Sequence, residues 1–442
     1  MRVFEKYWKN SNDPKRLQQN AVQPQLHSGP PAALIGRPAP GWPAFRLGKP
    51  RKDTFLGPQS KTALFRRCLV RSADVIVVGG GLSGSAIALG LMRERAGKVI
   101  LFDEQLPTQR LSRGNFGLTW FMCKGAKHPV YAQWSRLACR QWPDFAAGLE
   151  AETGYDIELE WTGGAVHALG EAEFRAHAES VENLKTVCAR VGLDYPVRML
   201  DRAEFSDLIP EIALGEEVTG AMYTPEQGHV NPLKLMAALR CAFQKRGGEF
   251  IGAQSVSAVV PHANGHVTVK TSRGDYQCRQ LVVASGHGSI RLLAPLGEKL
   301  HIYPQRGQLM VTQRHTRVLA IPMLSVRQTP DGTFVIGLST EDTALDTRVT
   351  AAAMKSQARN AIRLFPLIGT LNWVRAWGAI RVMTPDGAPT YSRIPGIEQI
   401  TVVALHSAVS LAPLAVNIVA PWILGIREHE LMHHFRNGRF NV

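Results

Sequence analysis

The alternation of apolar and polar positions becomes regular at residue 73. Asp74-Val75-Ile76-Val77-Val78 is an apolar, β-branched run that predicts a strand buried on both faces of a parallel sheet. A glycine cluster follows. The stretch Leu82–Ala96, rich in Ala and Leu, then predicts a helix that Gly97 stops. Val99-Ile100-Leu101-Phe102 predicts the second strand and completes a βαβ start. Further on, Leu281–Ser285 and Gln399–Ala404 read as strands, and Glu171–Arg190, Pro232–Arg246 and Thr350–Phe365 as helices. Arg327 leads into Thr329-Pro330-Asp331-Gly332-Thr333, a hairpin signal ending at Gly337. The pattern predicts an α/β fold with a parallel core sheet, interrupted by a mixed region that forms a second domain.

Residues 1–72 behave differently. They hold nine of the 27 prolines, including Pro30-Pro31 and Pro38-Ala39-Pro40-Gly41-Trp42-Pro43, and sustain no period of 2 or 3.6. The expectation is a disordered basic extension, or a start codon placed too far upstream. A targeting peptide and a nucleic-acid or membrane tether are the alternatives. Of the formal charge of +15, this segment carries 14 Lys/Arg against Glu5, Asp13 and Asp53, a net of +11. Subtracting that from +15 leaves +4 for residues 73–442. No nucleic-acid partner is expected for a body so weakly charged.

The chain has 442 residues, 45% hydrophobic and 20% charged, which suits two or three globular domains and excludes collagen-like and coiled-coil architectures. Six scattered cysteines form no CxxC and no close Cys/His pair, so neither a disulfide framework nor a metal site is expected. A cytoplasmic location is the expectation, with peripheral attachment to the inner face of a membrane as the alternative. The most apolar stretch, Val409–Leu424, is interrupted by Ser410, Pro413, Asn417 and Pro421 and reads as a buried helix with a broken end, so no transmembrane segment is expected. The first residues lack an apolar core of the secretory kind. There is no H-E-x-x-H, no G-x-S-x-G and no G-x-x-x-x-G-K-[ST].

Gly79-Gly80-Gly81-Leu82-Ser83-Gly84 is a G-x-G-x-x-G placed between strand and helix. Gly79 permits the tight turn, Gly81 lets the backbone approach a pyrophosphate, and Gly84 lets helix and strand pack closely. The helix start offers free N–H groups and a positive dipole end. Asp103, 19 residues beyond Gly84, stands where a carboxylate accepts from ribose hydroxyls. Glycine spacing does not separate FAD from NAD; a motif at the start of the regular region favours FAD.

Five stretches together resemble the family of FAD-dependent amine and amino-acid oxidoreductases, which includes glycine, sarcosine and D-amino-acid oxidases. They are the glycine motif, Ser112-Arg113-Gly114-Asn115-Phe116-Gly117, Gly228-His229-Val230-Asn231-Pro232, Leu281–Gly286, and Trp377–Pro389 with its Thr384-Pro385-Asp386-Gly387. The resemblance covers about residues 74–428. Asn115–Trp120 and His406–Ala412 are similar to the catalytic flavin subunits of hydrogen cyanide synthase and opine oxidases. The resemblance implies an FAD-binding Rossmann-like domain assembled from residues 73–155, 215–295 and 375–442. A substrate domain of mixed sheet and helices (156–214 and 296–374) is inserted into it. It marks Asn115, Gly117, Ala284, Gly286, Gly387, Ser407 and Leu411 as FAD contacts beside Gly79, Gly81, Ser83, Gly84 and Asp103. Some relatives attach the flavin through a cysteine six residues before the Pro-Asp. That position is Ala379, which implies noncovalent FAD.

The implied reaction is oxidation of a C–N bond to an imine by hydride transfer to flavin N5. Glycine, a D-amino acid, an N-alkyl amino acid or an opine would be the substrate. A carboxylated substrate needs a cation, and the planar fork of Arg suits it. Arg381 takes that role in the resemblance, with Arg375 and Arg327 as rivals. His406 precedes a helix expected to run through Leu411, whose start would lie beneath the flavin C2 carbonyl. Leu405 and Ala408 stand where the family pattern Gly-His-Ser-Gly has glycines. Oxygen, a quinone or a partner redox subunit would accept the electrons. A flavin-binding subunit that works only within a larger dehydrogenase complex is the alternative reading.

Overall fold

The computed structural model describes residues 71–104, 111–190 and 192–441. The expected basic extension lies outside these residues, except that Arg71 and Ser72 open the first strand. In chain order the strands are β1 (Arg71–Val78), β2 (Val99–Phe102), β3 (Leu118–Thr119), β4 (Gly164–Leu169), β5 (Arg198–Asp201), β6 (Val218–Thr224), β7 (Gly228–His229) and β8 (Glu249–Ile251). They continue with β9 (Val256–Pro261), β10 (Val267–Thr271), β11 (Gly274–Val283), β12 (Tyr303–Arg314), β13 (Val326–Gln328), β14 (Thr333–Ile336), β15 (Trp373–Met383), β16 (Thr390–Ile394) and β17 (Ile397–Ala404). The main helices are α1 (Leu82–Arg93), α2 (Pro129–Thr153), α3 (Glu171–Ala189), α4 (Pro232–Lys245), α5 (Ala351–Leu364) and a C-terminal helix, α6, over 412–423.

The largest sheet runs β16-β17-β11-β1-β2-β8, with β10 and β9 continuing from β11. The strands β17, β11, β1, β2 and β8 are parallel neighbours. Successive residues of a strand face opposite sides, which explains the unbroken apolar runs. Val75, Val77, Val99 and Leu101 pack with α1, α2, α4 and α6. Ile76, Val78, Ile100 and Phe102 pack on the other side with Val259, Val267 and Leu292. Each fully buried Val, Leu or Ile contributes roughly 1.5–3 kcal/mol, so neither layer tolerates a polar residue at these positions. The ends of β1, β2 and β11 open together into the turn at Gly79, into Asp103 and into Ala284. In open α/β sheets ligands bind in the crevice at these carboxyl ends.

A second, antiparallel sheet has the order β13-β14-β12-β15. Its Met310, Val326, Phe334 and Ile336 pack on α5. The register pairs Arg381 with Gln305, Trp377 with Leu309 and Arg327 with Val335, so both arginines stand on the face opposite that core. A third sheet, β4-β6-β5, is separate.

β6 pairs with β4 and β5, and β15 with β12, in sheets separate from the parallel one. Several expectations need correction. The expected strand 281–285 ends at Val283, because Ala284 turns to donate to the Val78 carbonyl at 2.8 Å. The helix expected to pass through Leu411 starts only at Ala412, where Pro413, which has no N–H to offer, fits the first turn. Helix α2 was not anticipated, since Pro143 interrupts its pattern, yet Trp134, Ala138, Trp142, Phe145 and Leu149 keep a helical period and are buried.

Candidate active site

The turn after β1 is shaped by close backbone approach. Gly79 has φ +107, and a Cβ there would stand 2.5 Å from the Ala284 carbonyl oxygen. A Cβ on Gly84 would overlap the Gly79 carbonyl. Gly81 faces Ser112, whose Oγ accepts from the Leu82 N–H at 3.0 Å, at the start of α1. Ser83 lies in the first turn of α1. The Asp103 carboxylate meets Arg240 at 3.3 Å, and Arg240 also donates to the Gly80 carbonyl and stacks over Phe250, 4.7 Å from the ring centroid. Gly286 follows at the end of β11, beside Val382. Gly79–Gly84, Asp103, Ala284 and Gly286 therefore converge as expected. Arg240 was not foreseen, because its hydrogen-bond partners lie more than 130 residues away. This turn, helix start and carboxylate fit a bound FAD, with Gly79, Gly81, Ser83, Gly84 and Asp103 as the residues that would hold its phosphates and ribose.

Loop 112–125 connects this turn to the second sheet. Asn115 Oδ1 accepts from the Gly117 N–H at 2.8 Å, a local turn, and Gly117 packs on the Val230 carbonyl. Gly114 lies under Trp377, whose indole N–H donates to its carbonyl at 3.3 Å, and against Ala379. Leu118 and Thr119 pair with His229 and Gly228, and the Ser410 hydroxyl joins the Trp120 N–H and the Leu118 carbonyl.

Arg327 is buried, and its Nε donates to the Phe116 carbonyl at 2.5 Å. Its Nη1 lies 3.4 Å from His229 Nδ1, and His229 Nε2 lies 3.3 Å from Glu160. Burial, and then the Arg327 charge, pull the His229 pKa down to about 3. The ring is therefore neutral: Nδ1 accepts from Arg327, and the remaining proton is on Nε2, which faces the Glu160 carboxylate. Arg317 closes the line on Glu160. Arg381 donates to the Ser339 carbonyl at 3.0 Å and to the Arg306 carbonyl at 3.3 Å. Burial lowers both arginines to about 10, still well above neutrality. Arg375, the third rival, stacks over Trp377 near the exposed start of β15.

His406 and Ser407 lie in the turns before α6. Ser407 Oγ accepts from the Tyr131 hydroxyl at 2.9 Å and stands 3.1 Å from His406 Nε2. The Ser407 hydroxyl has both its own proton and a second lone pair to offer His406 Nε2. Burial holds His406 at about 3, and the charges of Lys124 and Arg381 press the same way. Leu411 is buried and its N–H donates to the Ser407 carbonyl at 3.0 Å. Gly387 turns the loop between Thr384 and Ala388, where Asp386 is held by Arg439 rather than by the nucleotide crevice. Lys124 and Tyr131 were missed, and no local signal marked either. Among the described residues no group of His, Cys, Asp or Glu is placed to hold a metal ion, and no helix is long and apolar enough to cross a membrane.

A dinucleotide crevice at the strand ends, faced by a sheet bearing buried cations, fits a dinucleotide-dependent oxidoreductase. The chain belongs to the family described as FAD dependent oxidoreductase, whose model matches residues 74–422. It is 32% identical to an opine oxidase subunit of Agrobacterium tumefaciens (strain Ach5) over 84% of this chain and 98% of that protein. It is 29% identical to glycine oxidase of Geobacillus kaustophilus (strain HTA426), over 78% of this chain and 92% of the relative. The crystal structure of glycine oxidase from Geobacillus kaustophilus superimposes with a TM-score of 0.74 at 27% identity, covering 84% of this chain and 99% of that one.

Proposed function

We propose that this FAD-dependent oxidoreductase oxidises the C–N bond of a secondary amine bearing a carboxylate, an N-alkyl amino acid or an opine, and serves as the flavin subunit of a larger assembly. The observation that carries the reading is the similarity to an opine oxidase subunit across nearly the whole length of that relative. FAD supplies the two-electron acceptor next to the substrate nitrogen. Arg381 binds the substrate carboxylate, with Arg327 as the rival. Arg327, fixed between Phe116 and His229, orients loop 112–125. His406 stays neutral at the end of the hydrogen-bonded line from Tyr131 through Ser407. Water then hydrolyses the released imine to a keto or aldehyde product and an amine. The scattered cysteines, free in all five described positions, support a reducing, cytoplasmic setting.

The test is anaerobic titration of the flavin-loaded chain. N-methyl amino acids or opines should bleach the flavin spectrum. If N-methyl amino acids and opines leave it unchanged, whether or not glycine or a D-amino acid bleaches it, the substrate class is wrong.

A further inference from the structure

Lys124 sits at the end of loop 112–125 in a turn that leaves it little freedom. Cys123 before it has φ +67, a region an L residue enters only when its surroundings hold it there. The hold is visible: the Cys123 N–H donates to the Tyr195 hydroxyl at 3.1 Å, and the Phe121 and Met122 N–H groups both donate to Gln227 Oε1 at 3.3 Å. The Lys124 N–H closes the turn on the Phe121 carbonyl at 3.0 Å, and Gly125 packs against Ala132 of α2.

The ammonium group that this turn presents lies 5.7 Å from the centroid of the Tyr131 ring. Tyr131 leads through Ser407 to His406, which feels the Lys124 and Arg381 charges together. Among the described residues no carboxylate pairs with Lys124. Burial lowers its pKa to about 8, so it remains mostly a cation at neutral pH. A partly buried cation without an anion is costly, and a ligand anion removes that cost.

Building on the amine-oxidation reading, we propose that Lys124 is a substrate-binding residue that takes a second carboxylate, selecting amino acids whose nitrogen carries a carboxyalkyl group over those with one carboxylate. Arg381 serves the first carboxylate and Lys124 the second, and both charges act on His406. A lysine directed at the flavin itself is the competing role.

The test compares iminodiacetate and an opine with N-methylglycine on the flavin-loaded wild type, Lys124→Met and Lys124→Arg. Expected is a rise of about 10- to 100-fold in KM for the dicarboxylates in Lys124→Met, with a change several-fold smaller for N-methylglycine. Lys124→Arg, which keeps the charge, should recover most of the loss. Malonate, which cannot be oxidised, should perturb the flavin spectrum of the wild type and lose affinity in Lys124→Met. Equal KM losses on both substrate classes, or a loss confined to kcat with an altered flavin reduction potential, would overturn the proposal. A wild type whose flavin none of these amines reduces would instead overturn the reading it rests on.

Discussion

The turn at 79–84 and loop 112–125 face the same crevice but are built in opposite ways. The turn is shaped by missing side chains: Gly79 and Gly84 let carbonyls, a strand end and a helix start come together within six consecutive residues. The loop is shaped by side chains arriving from afar. Arg327, Trp377, Ser410, Gln227 and Tyr195 each fix one part of it from a different element. A turn of the first kind suits a constant ligand, since backbone N–H groups and a dipole recognise phosphate whatever the rest of the molecule does. A loop of the second kind can change what it recognises by changing single side chains, as expected for a substrate-facing surface.

The harshest way to break this contrast is Gly84→Val. Its Cβ would occupy the Gly79 carbonyl, so the helix must leave the strand, at a cost of about 3 kcal/mol or more. Flavin content and thermal unfolding are expected to fall together, whereas Lys124→Met in loop 112–125 should leave flavin content intact. A milder probe is Asp103→Ala. It removes the carboxylate expected to hold ribose and leaves Arg240 with one acceptor fewer, so FAD affinity measured by fluorescence should fall about 10- to 100-fold. Unchanged affinity would mean that Asp103 serves Arg240 alone.

A further probe is pH dependence. Burial holds His167 and His229 at about 3, well below the usual 6.5. Above pH 6.5 both states are neutral and nothing is gained or lost. As pH falls below 6.5 only the unfolded chain takes up these protons, so stability drops by roughly 1.4 kcal/mol per pH unit per histidine. Urea unfolding between pH 7 and 5 should show this slope, and His167→Gln should flatten it by one histidine's share. An unaltered slope in that variant would contradict the assignment.

What could be read from the sequence follows the same contrast. Contiguous patterns were legible: strands at 74–78 and 99–102, helices at 171–190, 232–246 and 350–365, and the glycine turn with its acid. Arg381 was marked by the resemblance, through its place before Thr384-Pro385-Asp386-Gly387, and Arg327 by its place before a hairpin signal, but their shared sheet face was not legible, because it depends on the β12–β15 and β13–β14 registers. Contacts that join distant residues left no trace. Arg240 reaches Asp103 across 137 positions, and Tyr131 reaches Ser407 across 276. Lys124 looks like any loop lysine until the fold surrounds it. Helix α2 is a different case, because its period was present and the proline inside it obscured the pattern.

The central claim is that the first βαβ turn holds FAD without a covalent bond, Ala379 standing where a linking cysteine would be. Denaturing the purified, FAD-loaded chain and separating flavin from polypeptide tests it directly. One FAD released per chain and a colourless polypeptide are the predicted result. Flavin that stays with the denatured chain, or a chain that remains colourless after incubation with FAD, would contradict it.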